Sequence, residues 1–338
     1  MQLCEKKRIW RIFSYKKMKR KAAYLQVTRK CNNECVFCSN PQFEKEYSLN
    51  ECKKVVIEFK KDGINEIFLT GGEPTLAPFL PELIKYIKSI NIEPRLITNG
   101  IKLSDKDFTE KLFISGLKNV SISIHSHIER IADSLSQRKG HFRKAILGLK
   151  NAIDIGMNVI LNSTINSLNC KYLLEYVKFF SSNFPKIKHF VFNNLDPGKS
   201  DGRMKSRAGE NPWIVAKYVD FELELKRMVD FLIKNNKTFR IERVPLCYMQ
   251  GFEEFSTETR KIVKEEIYIC SFIKKEKGNE IRKVTPDQLR TKFECCKYCK
   301  LKKICAGVQP EYVAIHGSDE FFPVFTNPEE IILSLIHI

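Results

Sequence analysis

The residues best suited to chemistry lie near the start of the chain, in the segment KCNNECVFCSN, residues 30–40. It contains Cys31, Cys35 and Cys38, with Phe37 immediately before the third cysteine. Cysteine thiolates bind zinc and iron–sulfur clusters, but a structural zinc site normally has four protein ligands. Three thiolates on a four-iron cluster leave one iron free to bind another molecule. The spacing therefore predicts a metal site with one open coordination position.

A second short motif, TGGEP at residues 70–74, follows the next apolar run. Gly71 and Gly72 lack a Cβ atom, so the backbone there can approach a ligand closely. Pro74 keeps Glu73 out of helical geometry. The Glu73 carboxylate is then placed to accept a hydrogen bond from an ammonium group. We expect this turn to contact a ligand beside the cysteine loop.

Strands and helices alternate through the part of the chain that carries both motifs. Helix signals include Ser48 as an N-cap with Glu51 as a capping box, Gly63 just past the helix end, and Ser104 as the start of a later helix. Alternation of this kind predicts an α/β fold with a parallel sheet, curved into a partial (β/α)6 TIM-like barrel. Such sheets bind ligands at the carboxyl ends of their strands. The predicted strands are 22–28, 65–70, 94–99, 119–126, 157–166 and 187–194, and the helices 48–63, 80–90, 104–116, 142–156 and 169–182.

Polar residues recur with period two along the later strands. In 119–126, Ser121, Ser123 and His125 alternate with aliphatic residues, which places the two sets on opposite faces. Any single one of these side chains can simply satisfy its neighbours, but the set as a whole favours a polar cavity inside the barrel. The same pattern recurs at Asn158, Asn162, Thr164 and Asn166, and again at His189 and Asn193.

The CX3CX2C spacing after the first strand resembles the signature of the radical SAM superfamily. Phe37 matches the aromatic residue that such loops carry, and the motif at 70–74 resembles the GGE motif of that family. The resemblance covers about residues 22–195. It implies an enzyme with a [4Fe-4S] cluster on Cys31, Cys35 and Cys38. It also implies that S-adenosylmethionine on the free iron is reductively cleaved to methionine and a 5′-deoxyadenosyl radical, which abstracts hydrogen.

The resemblance also implies which residues hold S-adenosylmethionine. The GGE motif holds the methionyl amine, and polar residues at the ends of the middle strands hold the ribose and carboxylate. By strand position these are Asn99, Ser123 and Asn162. An electron donor such as flavodoxin or ferredoxin is implied as a partner, and no catalytic residue is singled out. The implied cofactor-binding set is Phe37, Gly71, Gly72, Glu73, Pro74, Asn99, Ser123 and Asn162.

A second group of cysteines lies near the C-terminus, in FECCKYCKLKKICAG. Cys296, Cys299 and Cys305, followed by Ala306-Gly307, resemble the C-terminal motif of radical SAM enzymes with a SPASM or shorter Twitch-type extension. This implies one auxiliary [4Fe-4S] cluster, and Cys247 is our choice for its fourth ligand. Cys270 and Cys295 are the rivals, and a structural zinc site with the same ligands stays an alternative. The isolated Cys4, Cys52 and Cys170 are expected to be small buried apolar residues.

The composition is that of a globular protein with a strong basic excess. The 338 residues include 58 Lys and Arg against 40 Asp and Glu, a formal net charge of +18. Nine of the first 21 residues are basic, and such an arm suits nucleic acid, an anionic membrane surface or an acidic peptide, although lysine-rich composition alone explains it. No apolar run reaches the length of a membrane span, and no signal peptide is recognisable. We therefore expect a cytoplasmic protein without a membrane partner, in which twelve cysteines favour metal ligation over disulfides.

The changes in pattern divide the chain into five parts. The last six residues, LSLIHI, resemble a translated sequencing adaptor, and we expect the natural chain to continue past about Leu333. Near the C-terminus a strand is predicted over 238–249, a helix at 256–268 and a charged loop at 274–294. The parts are a basic arm (1–21), the radical SAM barrel (22–195), a linker with a bridging helix (196–240), an auxiliary-cluster domain (241–332) and a non-native tail (333–338).

The motifs together favour a radical SAM enzyme that modifies a peptide or protein. A radical SAM enzyme acting on a small-molecule cofactor precursor or on tRNA is the alternative within the same class. From another class, a zinc-dependent RNA-binding protein explains the cysteines and the charge together. It leaves the TGGEP motif and the polar-lined strands unexplained.

Overall fold

The described part of the backbone forms one mixed α/β unit, and each of its strands joins the same sheet. The structure, a computed structural model, describes residues 21–41, 43–198, 206–273, 279–285 and 290–337. The predicted basic arm, apart from Lys21, lies outside the described residues, and so does Cys4.

The sheet has nine strands in the order β7-β6-β5-β4-β3-β2-β1-β8-β9. Neighbouring pairs from β7 to β8 are parallel, and only the β8–β9 pair is antiparallel. The six predicted strands are present in the predicted order, which confirms the parallel partial barrel. The strands are β1 Lys21–Thr28, β2 Glu66–Gly71, β3 Glu93–Thr98, β4 Asn119–Ser123, β5 Asn158–Ile165, β6 His189–Asn194, β7 Thr238–Glu242, β8 Ile267–Ile273 and β9 Asn279–Val284.

The segments between the strands form helices because the apolar residues of these segments recur at helical spacing. The first helix begins as predicted: the Ser48 side chain accepts from the Glu51 amide and the Glu51 carboxylate accepts from the Ser48 amide, a complete capping box. The prediction that Ser104 starts the third helix was wrong, since Asp105 supplies that cap. The helices are α1 Leu49–Lys61, α2 Leu80–Ser89, α3 Lys106–Ile114, α4 Glu129–Ser136, α5 His141–Asp154, α6 Leu173–Asn183, α7 Arg207–Glu210, α8 Tyr218–Lys234, α9 Thr257–Val263, α10 Pro310–His316 and α11 Pro328–His337.

The strands separate polar from apolar side chains as their period-two pattern requires. In β4, Val120 and Ile122 are buried, whereas Ser121 and Ser123 are only half-buried. The same alternation runs along β3, β5 and β6. The buried aliphatic set joins one hydrophobic core with the helices. The other face, which carries the polar residues, is therefore left to line the interior of the barrel.

Two predictions for the C-terminal region were wrong. Residues 267–268, predicted to be helical, belong to β8, and part of the predicted charged loop forms β9. β8 pairs with β1, with Lys21 opposite Ile267 and Tyr24 opposite Cys270. The partners lie about 250 residues apart in the chain, so no local pattern signals this pairing.

The cysteine-rich segment packs against the start of α8 through buried tyrosines. The backbone amide of Tyr218 donates to the Tyr312 hydroxyl at 3.1 Å. The Tyr248 hydroxyl donates to the backbone oxygen of Glu320 at 2.7 Å, and the Tyr312 hydroxyl bonds the Glu320 carboxylate. Tyr218 also stacks on Tyr248, with ring centroids 5.3 Å apart. These contacts fix the position of Cys247, the neighbour of Tyr248.

The end of the chain is helical. α11 continues through residues 333–337, the segment set aside as a tail in the sequence, and Leu335 within it is fully buried. Among the described residues, no helix has both the length and the apolar character needed to cross a bilayer.

Candidate functional site

The loop that carries Cys31, Cys35 and Cys38 leaves the carboxyl end of β1 without regular secondary structure. Its far end is held by the buried Arg29, whose guanidinium bonds the Asn40 side chain and the Pro41 carbonyl and lies over the Phe43 ring. A loop that makes few hydrogen bonds to itself takes its shape from neighbouring segments. Three such segments supply the contacts.

The first segment is the turn between α4 and α5. The amide of Glu34 donates to the Ser136 carbonyl and the amide of Val36 to the Leu135 carbonyl, each at 3.0 Å. The Asn33 side-chain nitrogen lies 3.2 Å from Nδ1 of His141, which is 2% exposed. Burial lowers the pKa of His141 to about 4. His141 is therefore neutral at pH 7, and its Nδ1 accepts from Asn33.

The second segment is the turn after β2. The amide of Gly72 donates to the Thr28 carbonyl at 2.8 Å, and the amide of Glu73 donates to the Lys30 carbonyl at 2.7 Å. A Cβ atom at Gly71 would lie 2.1 Å from the Thr28 carbonyl oxygen, and one at Gly72 equally close to the Lys30 oxygen. Both positions therefore need glycine, because the cysteine loop packs directly on this turn.

The third segment is α7, which the sequence presented only as part of a polar loop. The amide of Arg207 donates to the Cys38 carbonyl at 2.9 Å. The Arg207 guanidinium lies near enough to lower the pKa of all three thiols, although burial raises each pKa more. For Cys31 the resulting pKa is about 11. Sequence analysis missed Arg207 because only the folded chain brings it beside the cysteines.

The three thiols also influence one another. The charges of Cys31 and Cys38 both raise the pKa of Cys35, and the charge of Cys38 raises that of Cys31, after the larger effect of burial. The structure thus brings the predicted trio together in one place. Among the described residues no group of three His, Cys, Asp or Glu side chains is arranged around a single ion. A four-iron cluster needs its thiolates farther apart than one ion does, because each thiolate binds a different iron.

Glu73 is engaged inside the protein. One carboxylate oxygen accepts from the Thr75 amide (3.1 Å) and from the hydroxyls of Thr75 (2.6 Å) and Thr98 (2.7 Å). The other accepts from the amide of Asn99 at 2.8 Å. Glu73 is 1% exposed, and burial raises its pKa while these hydrogen bonds lower it. Its carboxylate therefore joins the ends of β2 and β3, a role that the sequence did not predict.

Asn99 continues this network to the cysteine loop. Its side-chain nitrogen donates to Oδ1 of Asn32 at 2.7 Å, and its own Oδ1 accepts from the Ile101 amide at 3.0 Å. The path from Glu73 through Asn99 to Asn32 reaches the residue next to Cys31. Asn99 thus bonds protein groups at three of its atoms, and its contact with S-adenosylmethionine stays a prediction.

A row of polar side chains crosses the middle strands on the interior face. The Asn162 nitrogen donates to the Ser123 hydroxyl at 3.3 Å, and the Asn193 nitrogen donates to Oδ1 of Asn162 at 2.6 Å. Ser123 and Asn162 are paired across β4 and β5. The structure therefore brings these two candidates together and adds Asn193, which period two on β6 had indicated. Their half-buried state leaves polar atoms available to a ligand.

Phe37 links the cysteine loop to this row. It is 7% exposed, and its ring meets the His125 ring edge-on with centroids 4.8 Å apart. Nδ1 of His125 accepts from the Thr164 amide at 3.0 Å. Burial lowers the pKa of His125 to about 3, so this imidazole is neutral at pH 7.

The C-terminal cysteines line a separate pocket. Cys247, Cys296, Cys299 and Cys305 all face it, together with Lys292, Lys302 and the rings of Phe293, Phe321 and Phe322. Burial, followed by the charge of Cys305, raises the pKa of Cys247. Cys270 is instead part of β8, and Cys295 does not line the pocket. Cys52 and Cys170 are buried as predicted.

Comparison with known proteins agrees with this geometry. Residues 25–172 match the family model of the Radical SAM superfamily. Residues 25–172, which include the three-cysteine loop, therefore match a family that uses a [4Fe-4S] cluster and S-adenosylmethionine. The trio of half-buried thiols fits such a cluster, because soft sulfur donors favour iron–sulfur chemistry. The four-cysteine pocket fits a fully ligated auxiliary cluster.

Individual relatives share about half of the chain. The Fe-coproporphyrin III synthase of Methanosarcina barkeri is 33% identical over 164 residues, 47% of this chain and 41% of that protein. The PqqA peptide cyclase of Bradyrhizobium diazoefficiens is 29% identical over 161 residues, 46% of this chain and 42% of that protein. The chain thus matches less than half the length of these curated relatives.

A solved structure covers more of the chain. SuiB of Streptococcus suis, in its complex with S-adenosylmethionine, superposes with a TM-score of 0.62 over 94% of this chain and 80% of SuiB, at 17% sequence identity. At that identity the likeness concerns the fold. It extends beyond the barrel and includes the cysteine-rich C-terminal region.

Substituting Glu73→Gln tests the role of this carboxylate. The side-chain amide would direct a donor at groups that are themselves donors, so we expect unfolding free energy to fall by about 1–3 kcal/mol. Urea unfolding followed by circular dichroism measures the change, with the exposed Glu82→Gln as a matched control. An unchanged stability, combined with weaker binding of S-adenosylmethionine, would instead support the amine contact predicted from the sequence.

The neutral state of His141 predicts a pH dependence of stability. Its pKa is about 4 in the folded protein against 6.5 in the unfolded chain. The stability it contributes is therefore complete above pH 6.5 and decreases as the pH falls towards 4. The limiting slope is about 1.4 kcal/mol per pH unit. Urea unfolding of iron-free protein should show this slope, and His141→Gln should remove that part of it. Parallel curves for the two proteins would exclude His141 as the titrating group.

Proposed function

We propose that this protein reductively cleaves S-adenosylmethionine and uses the resulting radical chemistry to modify a peptide or protein. The observation that carries the proposal is the half-buried three-thiol loop at the carboxyl end of β1, packed on the Gly71-Gly72 turn and facing a polar barrel interior. Cys31, Cys35 and Cys38 would hold three irons of a [4Fe-4S] cluster and leave the fourth iron for S-adenosylmethionine. When bound, these groups supply one-electron cleavage of the sulfonium and hydrogen abstraction.

The remaining residues of the site would position S-adenosylmethionine beside the cluster and enclose it. The turn at Gly71–Pro74 brings backbone polar groups next to the cysteine loop, while the Glu73 carboxylate braces that turn. Ser123 and Asn162 offer hydroxyl and amide groups to a ribose or carboxylate, and the Phe37 ring covers the side towards His125. Exclusion of water from this interior protects a reactive radical from side reactions.

The four-cysteine pocket supports an auxiliary cluster. Cys247, Cys296, Cys299 and Cys305 converge there, and four thiolates complete the coordination of a cluster that needs no other ligand. Both clusters need thiols rather than disulfides. A reducing cytoplasm maintains thiols, so we place the protein there. Reduction of the clusters requires an electron donor, for which a flavodoxin or ferredoxin is the proposed partner.

The proposal of a peptide substrate is based on the proteins that this chain resembles. The PqqA peptide cyclase matches part of the barrel, and SuiB, similar in fold over most of the chain, has been solved with its precursor peptide SuiA. A small-molecule substrate is the second candidate, favoured by the match to an Fe-coproporphyrin III synthase. Mass spectrometry of short peptides encoded beside this gene, after co-expression with the enzyme, separates the two. A mass change in such a peptide supports the first candidate, and activity on a tetrapyrrole supports the second.

Anaerobic reconstitution with iron and sulfide tests the radical chemistry. We expect about eight irons per chain in the wild type and about four after replacing Cys31, Cys35 and Cys38 with alanine. Only the wild type should produce 5′-deoxyadenosine from S-adenosylmethionine with dithionite as reductant. Zinc without iron, and no 5′-deoxyadenosine, would reject this proposal and support the zinc-dependent RNA-binding alternative.

Single substitutions test the ligands of the auxiliary cluster. Cys247→Ala should lose up to about four irons, because it removes one of the four thiolates that complete the coordination of the auxiliary cluster. Cys270→Ala and Cys295→Ala are matched controls that should keep all of the iron. Iron loss in Cys295→Ala but not in Cys247→Ala would overturn the assignment. Four irons together with one zinc in the wild type would make this pocket a structural zinc site.

A further inference from the structure

The surface around the four-cysteine pocket has an unusual charge. Within residues 292–303 there are five lysines and one acid, Glu294. All five lysines are exposed, and Lys292 and Lys302 also line the pocket. Glu294 is paired with Lys297 at 2.7 Å, which leaves a net positive rim. The five are Lys292, Lys297, Lys300, Lys302 and Lys303.

Exposed aromatic rings accompany these lysines. Tyr298 is 70% exposed and lies between Cys296 and Cys299 in the sequence. Phe325 is 63% exposed, and the preceding Val324 bonds both the Lys300 amide, at 2.8 Å, and Sγ of Cys299, at 3.4 Å. Aromatic residues are enriched at protein interfaces, and the outer rim of an interface is polar. We call the five lysines, Tyr298 and Phe325 the basic rim.

Some lysines elsewhere on the molecule are balanced by acids. On the outer helices and strand ends, Lys61 pairs with Glu58, Lys88 with Glu93 and Lys226 with Glu222. The opposite charges of each pair cancel over a few ångströms and produce little long-range electrostatic field. The basic rim is distinguished by its charge excess and by its position at the opening of a cysteine pocket.

We propose that the basic rim is the docking surface for an acidic one-electron donor protein of the flavodoxin or ferredoxin type. The inference rests on the proposed function, because it requires a cluster in the four-cysteine pocket. A donor seated on the rim would lie beside that pocket. It would lose one electron to the protein and be oxidised by one electron, and no atom or proton would have to cross the interface.

The chemistry of the rim matches such a partner. Positive and negative patches steer two proteins together and raise the association rate, and the effect falls with ionic strength. Redox partners typically form small, short-lived interfaces, for which five lysines and two rings suffice. Nucleic acid is the other polyanion that a lysine cluster attracts, and the experiment below distinguishes it.

The test compares three reconstituted proteins: the wild type, a rim variant and a surface control. The rim variant carries Lys297→Glu, Lys300→Glu and Lys303→Glu, none of which lines the pocket. The control carries Lys54→Glu, Lys85→Glu and Lys150→Glu on α1, α2 and α5, with the same change in net charge. Binding to a purified, oxidised bacterial flavodoxin is measured by biolayer interferometry, in a titration that involves no turnover.

We expect the rim variant to bind flavodoxin at least about tenfold more weakly than the wild type at about 0.1 M salt, with the control unchanged. The difference should shrink at about 1 M salt, where charges are screened beyond about 3 Å. Equal binding by all three proteins, or equal losses in the rim variant and the control, would overturn the proposal. It would also fail if the rim variant lost binding to a short single-stranded RNA while flavodoxin binding stayed unchanged.

A second readout separates this proposal from the proposed function. Iron content and dithionite-driven formation of 5′-deoxyadenosine should be the same in all three proteins, whereas formation driven by reduced flavodoxin should fall at least about tenfold only in the rim variant. Absence of 5′-deoxyadenosine in the wild type with dithionite would contradict the radical chemistry itself. Loss of dithionite activity in the rim variant alone would show damage to the cysteine pocket and would reject a docking role for these lysines.

Discussion

The site depends on one constraint: the three-cysteine loop has no regular structure and must be held by its surroundings. Backbone groups of this loop bond the α4–α5 turn, the turn after β2 and the start of α7. Two glycines allow the closest of these approaches, because a Cβ at Gly71 would overlap the carbonyl oxygen of Thr28 at the end of β1, and one at Gly72 that of Lys30 in the loop. Thiolates that bind different irons must keep fixed separations, and these contacts restrain the loop that carries the three cysteines.

The buried Glu73 carboxylate extends that scaffold. It accepts donors from the end of β3 as well as from its own turn, and Asn99 passes the connection on to Asn32. A buried charge is retained at modest cost only when its hydrogen bonds are complete. The same network therefore explains how a carboxylate can be 1% exposed and why the carboxyl ends of β1, β2 and β3 stay in register.

The second cysteine site belongs to a segment that shares the sheet and the core of the barrel. β8 extends the barrel sheet beyond β1, and the Tyr218, Tyr248 and Tyr312 contacts hold the cysteine-rich segment against α8. Part of the basic excess of the chain lies around this pocket, where residues 292–303 carry five lysines and one acid. Net charge alone gave no such location, because it says nothing about where charges lie.

The six-strand parallel core, the capping of α1 and the grouping of Cys31, Cys35 and Cys38 could all be predicted from the sequence. These features follow from local periodicity and short spacings. The partners of β8 and β9, the place of Arg207 beside the thiols and the internal role of Glu73 became visible only in the folded chain. Folding also brought Cys247 into one pocket with Cys296, Cys299 and Cys305, which lie about fifty residues later in the sequence. Cys270 and Cys295 do not line that pocket. Contacts between distant segments depend on how the chain packs, and a single sequence carries no local pattern that encodes them.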